Sequence, residues 1–219
     1  MKKVALSWSG GKDSLMALLA MEAEPEIEIS ALVTTVTDPQ QRISMHGIRE
    51  ALLDAQATAL GLPLAKCRLP PAPDNESYRK SFAEALDPLA ATGTVSVAFG
   101  DLFLEDVRKF REEQMHALQL EPLFPIWQTP TAELANAFVD QGYRAVLCCV
   151  DSTQLDPEFL GREYDAALLS EFPQTVDPCG ERGEFHTFVH AGPRFNAAIP
   201  LTRGQTHISD ARFHFLDLA

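Results

Sequence analysis

Two glycines, three hydroxyls, a lysine and an aspartate fall within eight residues, Ser7-Trp8-Ser9-Gly10-Gly11-Lys12-Asp13-Ser14. These residue types at this spacing suit a polyanion. Hydroxyls and amides supply donors, and the lysine supplies positive charge. The glycines let the backbone approach a ligand with no Cβ in the way. An apolar run, Val4-Ala5-Leu6, precedes the stretch, and Leu15-Met16-Ala17-Leu18-Leu19-Ala20, rich in strong helix formers, follows it. The order is strand, glycine turn, helix. A helix start presents unpaired N–H groups and the positive end of a dipole, which favours a phosphate. The stretch is therefore expected to be a phosphate-binding loop opening an α/β domain. It is not a Walker A loop: Leu6 stands where the first glycine belongs, and Asp13 follows Lys12 where Ser or Thr is required. The dinucleotide pattern G-x-G-x-x-G is absent too. The bland reading is a glycine turn whose Asp and Ser cap a helix.

Other residues carry chemistry of their own. Thr34 and Val36 end an apolar, β-branched strand, Ile29–Val36, beside the first one. In open α/β sheets ligands sit beyond the carboxyl ends of strands, so these residues suit a ligand contact as well as a core. His46 and Gly47 sit near a helix start and read from the residues alone as a turn. Gly100 and Asp101 close the strand Val95–Phe99, where a carboxylate can meet Mg²⁺ or cap a helix. Arg108 and Arg111, with Glu105 and Glu112, read by default as helix-surface pairs. Glu184 and His186 lie two apart on an expected strand, hence on one face, with Glu181 nearby. A carboxylate and an imidazole together can bind an acceptor or move a proton. His186 and His190 would be too far apart on a strand for zinc, and Cys179 reads as a loop thiol.

The elements that must hold these residues alternate. Strands are expected at Lys3–Trp8, Ile29–Val36, Leu64–Leu69 and Val95–Phe99. Helices are expected at Asp13–Ala23, His46–Leu60, Glu76–Leu89 with Asn75 as its cap, and Glu105–Leu118. This alternation predicts a parallel sheet covered on both faces. Asp38–Gln41 reads as a turn. Two prolines in Glu121–Trp127 break the rhythm and place a domain boundary just before it. Beyond lie a helix opened by Thr131 as cap, a buried strand at Ala145–Val150, a helix at Glu158–Leu169, a loop at Asp177–Gly183 and a strand at Glu184–Val189.

Bulk properties exclude several classes. The 219-residue chain carries a formal charge of −13, which disfavours a nucleic-acid backbone as partner. No apolar run reaches membrane-spanning length, and the N-terminus has no signal-peptide pattern. The four cysteines form no C-x-x-C pair and read as free thiols in a reducing cytosol, so a cytoplasmic location is expected.

Ser9-Gly10-Gly11-Lys12-Asp13-Ser14 resembles the PP-loop of the N-type ATP pyrophosphatases, a HUP-like (adenine nucleotide alpha-hydrolase-like) group. Ser44-Met45-His46-Gly47, the run Gly100–Arg108, Pro122–Trp127 and Asp177–Phe188 look like the diphthine–ammonia ligase family, in its bacterial-type branch, in order along nearly the whole chain. One position departs: His186 stands where the eukaryotic and archaeal ligases tend to carry an acidic residue. The resemblance implies an α/β fold, with a five-stranded HUP-like ATP-binding domain at 1–120 and a smaller α+β acceptor-binding domain at 121–219. It implies that ATP is split to AMP and pyrophosphate while an acceptor carboxylate is adenylated, and that ammonia or an amine then forms the amide. By the same resemblance Ser9, Gly10, Gly11, Lys12, Asp13, Ser14, Thr34, Val36, His46, Gly47 and Gly100 would bind ATP. Asp101, Glu181, Gly183, Glu184 and Thr187 would bind the acceptor, and Lys12, Asp13, Glu184 and His186 would be catalytic. Asp13 would also meet Mg²⁺ through ATP. The implied partners are ATP, ammonia and a carboxylate-bearing small molecule or modified protein side chain, with a homodimer left open. Two other readings stay open: a tRNA-modifying PP-loop enzyme and a non-catalytic nucleotide sensor.

Overall fold

The computed structural model describes residues 1–38, 42–43, 46–71 and 74–219. The expected turn at Pro39–Gln41, the Ser44-Met45 pair and Ala72-Pro73 lie outside the described residues. The elements run β1 (Lys2–Ser7), α1 (Lys12–Glu22), β2 (Ile27–Thr37), β3 (Arg42–Ile43), α2 (Glu50–Leu60), β4 (Leu64–Leu69), α3 (Asn75–Ala90), β5 (Thr94–Ala98) and α4 (Glu105–Ala117). They continue through β6 (Glu121–Leu123), α5 (Thr131–Asp140), β7 (Arg144–Asp151), a 3₁₀ turn (Pro157–Phe159), α6 (Ala166–Glu171), β8 (Phe185–Ala191), β9 (Arg203–Ser209) and β10 (Phe213–Leu218). The chain forms two compact units. One comprises Met1–Ser9, Asp13–Ser44 and Gly61–Gln128; the other comprises Gly10–Lys12, Met45–Leu60 and Thr129–Ala219.

The first unit is an α/β layer structure. Its strands β4, β2, β1, β5 and β6 are parallel neighbours in that order, and short β3 runs antiparallel to the end of β2. The sheet is thus six-stranded, not five-stranded. The parallel edge strand Glu121–Leu123 belongs to this sheet, and the contacts of this unit continue to Gln128. The central strand shows why the apolar run folds as it does. Val4, Ala5 and Leu6 are completely buried, as a parallel strand covered on both faces requires. One core packs Ala5, Val33, Cys67 and Val97 of the strands, together with Phe99, against Phe82, Leu86 and Met115 of α3 and α4. Each buried phenylalanine contributes about 1.5–3 kcal/mol of burial. The chain adds β2 and β4 on one side of β1, then β5 and β6 on the other. The order reverses between β1 and β5, and the turns leaving these two strands flank the position where such sheets take ligands.

The second unit holds a four-stranded antiparallel sheet, β8-β7-β10-β9. Strand β7 is buried from Ala145 to Asp151. Gln56 of α2, fully buried, donates to the carbonyls of Gly10 (2.9 Å) and Val189 (2.6 Å). Among the described residues no helix is long and apolar enough to cross a membrane.

Four expectations about elements change. Helix α2 begins at Glu50, not His46, because Gly47 takes φ +66° and ends any earlier turn. The cap of α3 is Asp74, whose carboxylate accepts from Ser77 N at 2.7 Å, while Asn75 is already helical. Pro130 rather than Thr131 precedes α5, and Thr131 Oγ1 donates instead to Asp177 Oδ2 at 2.8 Å. The helix expected at Glu158–Leu169 is a 3₁₀ turn and a short α6, separated by Gly161 at φ +79° and by Asp165, which caps α6 through Leu168 N.

Candidate functional site

In the first unit the loop begins where β1 ends. Trp8 N donates to Val33 O at 2.8 Å, which fixes the exit of the strand. Ser9 Oγ and Ser14 Oγ are 3.3 Å apart. Gly100 packs against the start of α1: a Cβ there would meet Asp13 O at 2.9 Å and Ser14 N at 3.1 Å. A glycine is therefore required for the end of β5 to approach this backbone. Thr34 is buried, and its Oγ1 has no hydrogen-bond partner among the described residues. Val36 is core.

Asp101 follows immediately. Its Oδ2 faces Arg111 Nε at 3.7 Å, beyond hydrogen-bond range, and both atoms are buried without hydrogen-bond partners among the described residues. The guanidinium lies over the Phe99 ring, 5.0 Å from its centroid, and Nη1 donates to Tyr78 Oη at 3.3 Å. Burial pushes the Asp101 carboxyl above its usual range; Arg111 opposes this and Asp13 adds to it. The pairing of Arg111 is a correction to its reading as a helix-surface charge. Arg108 keeps that pattern, bonding Glu112 at 2.8 Å, and also stacks on Phe124 and Trp127.

In the second unit Gly10 stands at φ +80°, a conformation suited to glycine. Its carbonyl also accepts from Val189 N at 2.9 Å. Lys12 N donates to Thr187 Oγ1 at 3.1 Å. Lys12 is 2% exposed, and its side chain turns inward. It donates to Cys179 O and lies about equally far from the rings of Tyr164 and Phe185, 5.6 and 5.5 Å from their centroids. His46 and His186 stack with ring centroids 4.4 Å apart. The His46 ring donates to the Thr187 backbone, and its Nδ1 has no partner among the described residues. Burial, with Lys12 nearby, lowers the His46 pKa to about 4. Burial, His46 and Lys12 hold His186 well below its usual range. Both rings are therefore neutral lone-pair carriers at neutral pH.

The loop Asp177–Gly183 is held by two inward carboxylates. Glu184 is 1% exposed; its Oε1 accepts from Asp177 N and its Oε2 from Arg182 N, both at 2.9 Å. Asp177 Oδ1 accepts from Cys179 N at 2.8 Å. Glu184 lies just before β8, which starts at Phe185, and its carbonyl accepts from Asp151 N at 2.9 Å, continuing the pairing with β7. Gly183, at φ +83°, borders open space. Glu181 is half-buried, with its N–H directed to Asp177. Sequence reasoning missed Asp177, Gln56, Arg111, Tyr164 and Phe185. Only Asp177 carried a local signal, the Asp-Pro turn pair. The four cysteines are buried and form no disulfide, and burial raises the thiols of Cys67 and Cys149 to about 12.

The donor sets fit the implied ligands. A glycine loop at a helix start with an orphaned buried hydroxyl suits a nucleotide phosphate, and the electrostatically coupled Asp13 and Asp101 offer the hard oxygens that Mg²⁺ takes. Among the described residues no group of three or more His, Cys, Asp and Glu could hold a metal ion unaided.

Comparison with known proteins aligns with this geometry. The profile of the diphthamide synthase N-terminal domain matches residues 1–119, and that of the diphthamide synthase C-terminal domain matches residues 130–214. A diphthine–ammonia ligase of Danio rerio is 27% identical over 93% of this chain and 88% of its own. One of Rattus norvegicus is 26% identical over 95% and 86%. One of Bos taurus is 31% identical over a shorter span, 49% and 43%.

Proposed function

Because this chain belongs to the diphthamide synthase family, we propose that it is an AMP-forming ATP-dependent ligase that joins ammonia or an amine to an acceptor carboxylate. ATP activates the carboxylate as an acyl-adenylate and releases pyrophosphate. Ammonia attacks the acyl carbon, and AMP leaves with the electron pair of the broken C–O bond. Diphthine, which the relatives' name states as their substrate, is one candidate acceptor.

The observation that carries this reading is the loop itself. Gly10 holds φ +80°, and Gly100 closes on Asp13 and Ser14 where no Cβ fits. In this reading Ser9, Gly10, Gly11, Asp13 and Ser14 hold the β- and γ-phosphates with amides and hydroxyls. These are fixed donors, aimed where charge develops on the leaving pyrophosphate. Thr34, His46, Gly47 and Gly100 line the nucleotide, while Val36, wholly buried, belongs to the core. Mg²⁺, when bound by Asp13 and ATP, neutralises phosphate charge. Lys12 fixes the loop through Thr187 and the Cys179 carbonyl. Asp101, Glu181, Gly183 and Thr187 meet the acceptor. Glu184 shapes that loop from behind, and His186 offers an uncharged ring to the amine.

The test is incubation with ATP, Mg²⁺, ammonium and candidate acids, following AMP and pyrophosphate. Asp13→Ala should abolish pyrophosphate release while the melting temperature stays within a few degrees. Near-normal turnover in that variant would sink the assignment.

A further inference from the structure

Four strand ends meet at one end of the antiparallel sheet. Arg144 opens β7 opposite Ala191, which closes β8, and Arg203 opens β9 opposite Leu218 near the end of β10. The segment before β9 is pinned there: Ile199 N donates to His190 O at 2.7 Å. A cavity of about 560 Å³ lies among Arg144, Glu163, His190, Leu201, Thr202 and Arg203. That volume is within the ordinary range for small-molecule sites.

The charges in this cavity do not balance. Glu163 is the hub: its Oε2 meets His190 Nε2 at 3.1 Å, its Oε1 accepts from Arg203 Nη2 at 3.2 Å, and Arg144 Nη2 stands 3.6 Å from Oε2. Each guanidinium has five N–H donors in a planar fork. Arg203 commits one of them to Glu163, and Arg144 approaches it only at ion-pair range. Two guanidinium groups against one carboxylate leave positive charge in a protein of net charge −13. His190 is 7% exposed and holds Glu163 in place, and the two guanidinium groups, both mostly exposed, approach that one carboxylate from solvent. Planar forks with spare donors in a shaped cavity match oxyanions bidentately.

We propose that this cavity binds a small polyvalent oxyanion, a phosphate monoester or a polycarboxylate, and that Glu163 occupies the place of the ligand's oxygens when the cavity is free. The ligand displaces Glu163 from Arg203 and Arg144 and takes both forks, while Glu163 stays bonded to His190. No covalent step is involved, and the inference does not depend on the ligase reading.

The experiment is an amide-resolved NMR titration of the full chain with inorganic phosphate and, separately, with citrate. Sodium chloride at matched ionic strength is the control. Shifts should centre on residues 144, 163, 190, 202 and 203, with a Kd of about 1 mM or tighter. The probe that binds more tightly identifies which oxyanion the cavity serves. Arg144→Gln, at a mostly exposed side chain, should weaken binding about tenfold with the fold intact. Glu163→Gln should tighten it several-fold, because the competing charge is gone. Absence of shifts with both probes, the same shifts with sodium chloride, or weaker binding in Glu163→Gln would overturn the proposal. The guanidinium groups would then serve only to seat Glu163.

Discussion

Two carboxylates singled out by the same reasoning have opposite surroundings. Glu184 has both oxygens taken by backbone amides at 2.9 Å and is buried within its own loop. Asp101 has a buried oxygen with no hydrogen bond among the described residues, held 3.7 Å from an equally unsatisfied Arg111 Nε. Buried polar groups are nearly always paired, so an unpaired one needs a reason, and a ligand is one such reason. Glu184 shapes the loop Asp177–Gly183, whereas Asp101 and Arg111 leave two buried polar atoms without hydrogen bonds among the described residues.

Removing Glu184 should be the most damaging change. Glu184→Ala strands the buried Asp177 amide and the partly buried Arg182 amide, which now donate to a charged acceptor, a loss of about 3–5 kcal/mol. Its melting temperature should fall by about 10 °C, with Glu184→Gln in between. A fall of only about 2 °C would erase the contrast with Asp101. A smaller effect is expected from acid. His46 titrates near 4 when folded and 6.5 when free, so between those values the unfolded chain binds more protons and stability is lost as pH falls. Thermal melts from pH 7 to 4.5 should show this decline, and His46→Gln should flatten part of it. An unchanged slope would mean that the stacked His46 and His186 rings are not held neutral by the fold. Asp101→Asn should have the smallest effect on stability. Its carboxyl is raised, so the charged form is a burden at neutral pH and the amide should be neutral to slightly stabilising. The acceptor KM should nevertheless rise about tenfold, roughly 1.4 kcal/mol of binding. A large drop in stability with KM unchanged would make Asp101 a structural residue like Glu184.

The strand-turn-helix order around the loop was legible because periodicity and glycine placement are local. Strand β6 was not. Pro122 reads as a break, and only pairing with β5, from Ser96 to Ala98, makes Glu121–Leu123 a strand. The start of α2 was hidden for a similar reason. Gly47 lies against Phe215, whose Cδ1 would be 2.7 Å from a Cβ, a contact that sequence spacing cannot reveal. Residue types at the site were readable, but their directions were not. Lysine's long side chain can serve a ligand or the interior, and the choice is made by Tyr164, Cys179 and Phe185, far away in sequence. Arg111 looked like another exposed helix charge because nothing nearby in sequence marks Asp101 as its partner.

The inward course of Lys12 bears on self-inactivation. An acyl-adenylate acylates any free amine it meets, and a lysine within the activating loop would be the first available. Here that lysine is 2% exposed, with its nitrogen directed at a backbone carbonyl and aromatic rings near it. In the proposed reaction this arrangement would keep the loop's own amine from competing with ammonia for an activated acyl group.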